Sequence, residues 1–391
     1  MKLAFTLFLC GNLFGASRYF VSGGVDNNWG TTGNWSLTDG GAGGQTVPSA
    51  SDDVHFTANS PNCTVNTSAR VALTLDFTGY TNTITMSQQI TVSGSVTLVS
   101  AMTISGAGAL LVNAAATLTS NTKTWPNDMT ISGAVTYTLA DNWTVNGTLT
   151  IGSGSNTTTV NGNQFTAHTS FTAGVSTGVV TGTTTMLMNG TGTLTGPSST
   201  GSLRSNFTIN TAGTITLATG NFRYNTNTFT CTAGTVDASN ADLIAASAGT
   251  TFGCAEATWK SITFNFAGTY TLNEDMFTTG LCTFGAGSSG QTINSGNINC
   301  PAGLTYTGTS STLQGTTVFK LTGTGTLTAA SLTSGRIANP ISIQAGSGTI
   351  SITSPFTVDI GAVSLVSGTV VASAGNTWSS ATPPLGTITV Q

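Results

Sequence analysis

A twelve-residue stretch, TYTLADNWTVNG at 136–147, returns as TYTLNEDMFTTG at 269–280, an offset of 269 − 136 = 133. The register holds elsewhere. TTMLMNGTGTLT from Thr184 is answered at the same offset by TVFKLTGTGTLT from Thr317, and TAGTV from Thr232 is echoed by VSGTV from Val366 at 134. Echoes spread this widely exceed what biased composition produces, so the body reads as the duplication of a large unit. A duplicated body predicts an elongated structure.

Within the unit the local pattern is strand after strand. Thr, Val, Ile and Leu alternate in short runs such as ITVSGSVTLVS (90–100), WTVNGTLTIG (143–152), NFTINTAGTITLA (206–218) and GTISITSPFTVDIG (348–361). Period two with β-branched residues means pleated strands that bury one face. Gly, Asn and Ser between the runs supply tight turns. The fold class is therefore all-β. The pattern runs without a linker from about residue 73 to the C-terminus, longer than a single sandwich or barrel usually extends. This favours a right-handed parallel β-solenoid (β-helix) with an N-terminal cap. Coils of roughly 22 residues would give about 14 coils over 73–378, each rising about 4.8 Å, for a rod about 65 Å long. The alternative is a row of tandem small β-sandwich domains, since a unit of the repeat's length also suits one such domain. The expected divisions are 1–17, an N-terminal segment; 18–72, a cap; 73–124, a first solenoid segment; 125–258, repeat unit 1; and 259–391, repeat unit 2 with the C-terminal end.

Composition limits the chemistry. Charged residues are 6% of the 391 positions, with 9 Lys+Arg, 13 Asp+Glu and 2 His, against about 25% in ordinary domains. Acid–base chemistry has few carriers. A pI near 4.8 and no basic cluster remove the electrostatic attraction that nucleic-acid binding needs. Disorder is not expected either, because 38% of residues are hydrophobic, the mean hydropathy is +0.19 and the net charge is only −4.

The first residues, MKLAFTLFLCGNLFGAS, carry one Lys, an apolar stretch from Leu3 to Cys10 and small residues at Gly15, Ala16 and Ser17. That is the pattern of a secretory signal peptide, with an uncleaved N-terminal strand or anchor as the alternative. The stretch is too short to span a bilayer, and no later run approaches the required length.

The following segment, RYFVSGGVDNNWGTTGNWSLTDGGAGGQTVPSASDDVHFTANS (18–60), resembles the opening of Thr/Gly-rich repeat proteins common in tailed-phage and virome sequences. Its Trp, Pro and DDV spacing is similar to a cap that opens many bacterial secreted β-helix proteins. The resemblance is close over this segment and extends to the body only in style. It implies a virion appendage or surface-adhesion component, with a location on a virion or a cell surface. It also implies host-surface glycans or other virion proteins as partners, and a homo-oligomer, a trimer by analogy with phage fibres. Trp29 and Trp35 are placed to cover the open end of a solenoid, with sugar stacking as the alternative role. Asp52 and Asp53 read as turn residues more than as calcium ligands, because two adjacent carboxylates lack the rest of an oxygen cage.

Phage β-helix proteins can carry glycan-cleaving sites, which usually use two carboxylates roughly 5 to 9.5 Å apart. The best group here is Asp237, Asp242 and Glu256, since Glu256 follows Asp237 at a spacing of 256 − 237 = 19, near one coil. Asp141, by contrast, maps onto Glu274 at offset 133 and reads as an acidic turn that recurs with the repeat. His55 and His168 have no Ser-Asp or Cys partner pattern, and no metal-ligand spacing, cofactor loop or Walker loop is present. Among the cysteines, 231 and 254 are 23 apart and 282 and 300 are 18 apart. Each spacing is about one coil, so stacking would bring the pairs within disulfide range in an oxidising compartment and leave inward thiols in a reducing one. The remaining cysteines are Cys10 and Cys63. The N-x-S/T triplets at Asn34, Asn62 and Asn142 carry no information in a chain so rich in Thr and Asn.

These readings converge on a non-enzymatic structural or adhesive rod without cofactor or metal. The rivals are a glycan-degrading tailspike-like enzyme, which an acidic groove at Asp237, Asp242 and Glu256 would favour, and a carbohydrate-binding surface protein. Trp143, Trp259 and Trp378 exposed along one face would favour the last, although Trp125 and Trp259, at offset 134, read as recurring core residues.

Overall fold

The structure, a computed structural model, describes residues 15–390 apart from 153–155, 175–176, 198–199, 226, 255–256, 286–289, 309–310, 330–335, 354–356, 359–362 and 373–387. It is all-β, a stack of parallel coils forming a solenoid of about 14 turns, and the described residues contain no α-helix. The expected class is observed, and the sandwich alternative is excluded by the pairing. Every strand pair on the body is parallel and joins segments about one coil apart, whereas sandwiches are built from antiparallel neighbours.

Each coil contributes strands to three faces. The first face stacks Ile90–Val92, Leu110–Val112, Met129–Ile131, Thr148–Ile151 and Ser170–Ala173. The second stacks Thr74–Asp76, Val96–Thr97, Ala116–Thr119, Thr136–Leu139 and Thr157–Gly162. The third stacks Trp143–Val145, Phe165–Ala167 and Met186–Met188. Coil length varies: the register partners Leu110 and Met129 are 129 − 110 = 19 apart in sequence, whereas Phe171 and Leu194 are 194 − 171 = 23 apart.

Alternation then decides what lies inside. Leu110, Met129, Leu149, Phe171 and Leu194 occupy one inward column and are all at most 1% exposed. The neighbouring positions form an outward ladder, Thr130, Thr150, Thr172 and Thr195. β-Branching suits the pleat and the hydroxyl meets water, which is why threonine dominates the sequence. Aromatics stack along the interior as well: Phe284 lies 5.4 Å from Phe264 and 4.8 Å from Phe319, centroid to centroid.

The duplication has a geometric consequence. Tyr137 stands on the second face, but Tyr270, its echo, stands on the third, in the column that runs through Thr251–Gly253 back to Trp143–Val145. Trp125 bridges to Val145 on the third face, while its echo Trp259 pairs with Ala238 on the first. With register partners 19 to 23 apart, an offset of 133 amounts to about six coils and one additional face. The unit therefore returns rotated onto the next side of the prism with each residue's inward or outward sense kept. Both tyrosines are buried and donate to backbone carbonyls, Tyr137 to Val112 O at 2.8 Å and Tyr270 to Phe266 O at 3.0 Å. Burial pushes both phenols up to about 12. Gly182 and Gly315 also correspond. Both have φ +128°, and an added Cβ would lie 1.9 Å from Val160 O and 2.1 Å from Ile293 O respectively, so each admits only glycine beside the coil below.

Coil stacking begins inside the N-terminal segment. Ser17–Phe20 pairs parallel with Asp53–His55 and, on its other edge, antiparallel with Trp35–Ser36. That short strand covers the edge that would otherwise template another chain. Phe20, Trp29, Trp35 and Phe56 fill the end beneath it, all 0% exposed, and the Trp35 indole N–H donates to Trp29 O at 2.7 Å. Structural capping is thus the role of both tryptophans, and sugar stacking on either is ruled out by burial. Residues 1–14, which hold Cys10 and most of the leader-like stretch, lie outside the described residues. Among the described residues no helix is long and apolar enough to cross a membrane.

Cys231 and Cys254 are joined across adjacent coils, Cα to Cα 4.8 Å. Cys282 and Cys300 are buried thiols. The coil at this point is 304 − 282 = 22 residues long, so the register partner of Cys282 is Leu304 and not Cys300. The Cys300 thiol is nonetheless close to Cys282, and burial followed by that neighbour pushes it well up.

This packing sets two expectations for stability. Phe284→Ala is expected to cost about 3–5 kcal/mol, and Thr150→Ala on the outer ladder about 1 kcal/mol or less, read as shifts in the urea unfolding midpoint. Dithiothreitol is expected to destabilise the native chain by about 3 kcal/mol, the loop-closure value for a loop of this size, and to leave a Cys231→Ser/Cys254→Ser variant unmoved.

Candidate functional site

Two of the acidic candidates, Asp237 and Asp242, sit on one long strand, Thr228–Ala245, which bends from the first face to the second between Ala238 and Asp242. Asp237 points outward, opposite Thr258 of the next coil, and Asp242 lies beside Ser261 beyond the corner. The Ser239 hydroxyl, at 2.6 Å, and its N–H, at 3.1 Å, both donate to Asp237 and hold its carboxyl below the usual range. Asp242 pairs with the Lys260 ammonium at 3.0 Å and accepts from the Ser261 hydroxyl at 2.6 Å. A general acid needs a raised carboxyl, and the surroundings of Asp237 act in the opposite direction. Glu256 lies outside the described residues.

Asp52 and Asp53 serve the frame. Asp52 accepts from Ala16 N at 2.9 Å and from Ser49 N and Oγ, each at 2.7 Å, with Arg18 Nε 3.9 Å away. Burial pushes its carboxyl up, but the Ser49 and Ala16 donors and the Arg18 charge outweigh it and hold the group below its ordinary value. Asp53 accepts from the Thr74 hydroxyl at 2.5 Å. The pair therefore fastens the cap, Asp52 from a turn, as expected, and Asp53 from the strand Asp53–His55. No group of three His, Cys, Asp or Glu suited to a metal ion occurs among the described residues. His55 stacks on Tyr19 at 4.8 Å and faces Asp76 at 3.5 Å, while His168 meets Asn189 at 3.1 Å.

At the recurring acidic turn the wall departs from regularity. Asp141 accepts from Ser120 N at 2.8 Å and Asn121 N at 2.6 Å of the coil below. Those residues form a tight turn closed by Lys123 N to Ser120 O at 2.9 Å. Asn121 and Thr122 have φ +47° and +66°, a conformation that asparagine tolerates and a β-branched residue rarely adopts. Beside the turn an open depression of about 300 Å³ is lined by Ser120, Thr122, Lys123, Asp141, Asn142 and Thr144. Lys123 Nζ donates to Met102 O at its edge.

Among the described residues the tryptophans supply no platform, since Trp125, Trp143 and Trp259 are at most 1% exposed; Trp378 lies outside the described residues. Two phenylalanines face water among the described residues, Phe266 at 45% and Phe277 at 39% exposed, and Phe277 stands in an outward ladder Asp237, Thr258, Phe277, Asn299, Lys320. Sequence reading passed over it, although strand alternation between inward Met276 and Thr278 placed it outside.

Comparison with protein-family models, curated proteins and solved structures gave no match to this chain.

Asp52 links pH to the cap. Its folded pKa is below its unfolded value, so its contribution is complete above about pH 4 and is lost as pH falls through the folded pKa. The thermal midpoint is expected to drop below about pH 4, and Asp52→Asn is expected to start lower at pH 7 and to show a flatter acid limb.

Proposed function

We propose that this chain is a non-enzymatic, elongated scaffold that extends an adhesive surface from a phage particle or a cell. The observation that carries this reading is the engagement of the carboxylates within the frame. Asp141, Asp242 and Asp275 bind groups of an adjacent coil, while Asp52, Asp76 and Asp237 accept from N–H and hydroxyl groups two or three residues away. Acid–base groups spent this way stiffen a rod and are not poised for proton transfer. The Cys231–Cys254 cross-link supports an oxidising location outside the cytoplasm. A regular ladder resists proteolysis, and weak contacts repeated along it sum by multivalency.

Incubation of the purified chain with a polysaccharide panel tests the proposal. Unchanged polymer lengths are expected, together with retention on host-cell or glycan-coated surfaces. Cleavage that disappears in Asp237→Asn or Asp242→Asn would establish a glycan-degrading enzyme instead.

A further inference from the structure

The open depression and the exposed Phe277 ring lie at the same place in the duplicated unit. Asp141, Asn142 and Thr144 correspond at offset 133 to Glu274, Asp275 and Phe277. In the first copy this corner carries the open depression and the strained turn at Asn121 and Thr122. In the second it carries the exposed ring of Phe277. We propose that both copies of this corner are binding subsites for neutral sugar residues of a glycan, one on the third face and one on the first. This inference rests on the adhesive reading and names the ligand class and the contact residues.

The chemistry of each copy suits a polyhydroxylated, uncharged ligand. The first offers the Lys123 ammonium, the Asn142 amide and the Thr122 and Thr144 side chains around a space of about 300 Å³, with the buried Ser120 hydroxyl held by Asn142 O. The second offers an apolar ring with Asn299 on the next coil and Lys320 beyond it. Asp275 is fixed by Asn297 Nδ2 at 2.7 and 2.8 Å and faces Lys320 Nζ at 3.8 Å. A ring flanked by amide, ammonium and carboxylate can cover the C–H face of a sugar while its hydroxyls find donors and acceptors. Lys320 is balanced by Asp275, and Lys123 shares its depression with Asp141, so neither copy presents the net positive charge that an acidic sugar would need. A protein partner would require a wider apolar patch than one ring among Thr, Asn and Lys. The first copy also meets the expectation that backbone strain gathers at binding sites.

Six coils and one face separate the copies, about 30 Å along the axis, so one rod engages two glycan strands from different sides. Binding of the whole chain to neutral hexose and N-acetylhexosamine oligosaccharides is the test, with uronate oligosaccharides alongside. Phe277→Thr installs the residue that the first copy carries and keeps a β-branched side chain on the ladder. Asn142→Ala trims the first copy at an exposed position. Each is expected to remove about one of two bound equivalents or to weaken binding roughly tenfold, with unfolding midpoints unchanged and binding maintained at high salt. Neutral-glycan binding that both variants retain in full would overturn these subsites while leaving adhesion standing. Adhesion of the native chain to host surfaces without neutral-glycan binding, or binding of uronates alone that salt abolishes, would also overturn the inference. Absence of any surface adhesion would overturn the adhesive reading as well.

Discussion

Everything in this molecule depends on one contact, a coil laid in parallel register on the coil below. It satisfies backbone hydrogen bonds between neighbours about 4.8 Å apart, and because side chains alternate it also stacks like on like. Leu110, Met129, Leu149, Phe171 and Leu194 make an inner column while Thr130, Thr150, Thr172 and Thr195 make an outer one. A one-residue slip would exchange the two columns, so burial of the inner one fixes the register. A core built this way needs few charged residues, and the low charge content follows from the architecture.

The same contact explains how a duplication can be rotated. A unit of about six coils and one face returns each element to a different side, which succeeds only if all three faces accept the same pattern. They do. Tyr137 and Tyr270, Trp125 and Trp259, and Gly182 and Gly315 keep their burial or their backbone conformation on different faces. Conservation of local environment without conservation of face places the structural demand on coil-to-coil stacking and leaves outward residues free to diverge. Thr144 and Phe277 show that divergence.

Much of this was legible in the sequence. Period-two runs gave the strands, the echo at offset 133 gave the duplication, and the spacing of 23 between Cys231 and Cys254 matched a full coil. Coil length was legible only as an average, which is why Cys282 and Cys300 pack as thiols: the register partner of Cys282 is Leu304, beyond Cys300. The spacing singles out Asp237, Asp242 and Glu256 as a group, of which Glu256 lies outside the described residues, but the engagement of Asp237 and Asp242 by Ser239, Lys260 and Ser261 depends on corner geometry that spacing does not encode. The depression at Asp141 was invisible for a similar reason, since its walls are 120–123 and 141–144 from successive coils. The acidic turn itself was seen as a recurring element. The outward position of Phe277 follows from its alternation with inward Met276 and Thr278.

Cysteine cross-linking measures the central claim of coil-on-coil register directly. Thr150 and Thr172 are register partners on the outer ladder, with the same relation as the natural Cys231–Cys254 pair, whereas Thr150 and Ser170 are diagonal and beyond disulfide reach at roughly 7–8 Å. Efficient closure in Thr150→Cys/Thr172→Cys and little in Thr150→Cys/Ser170→Cys is the result this account requires. Equal yields, or the reverse preference, would contradict it.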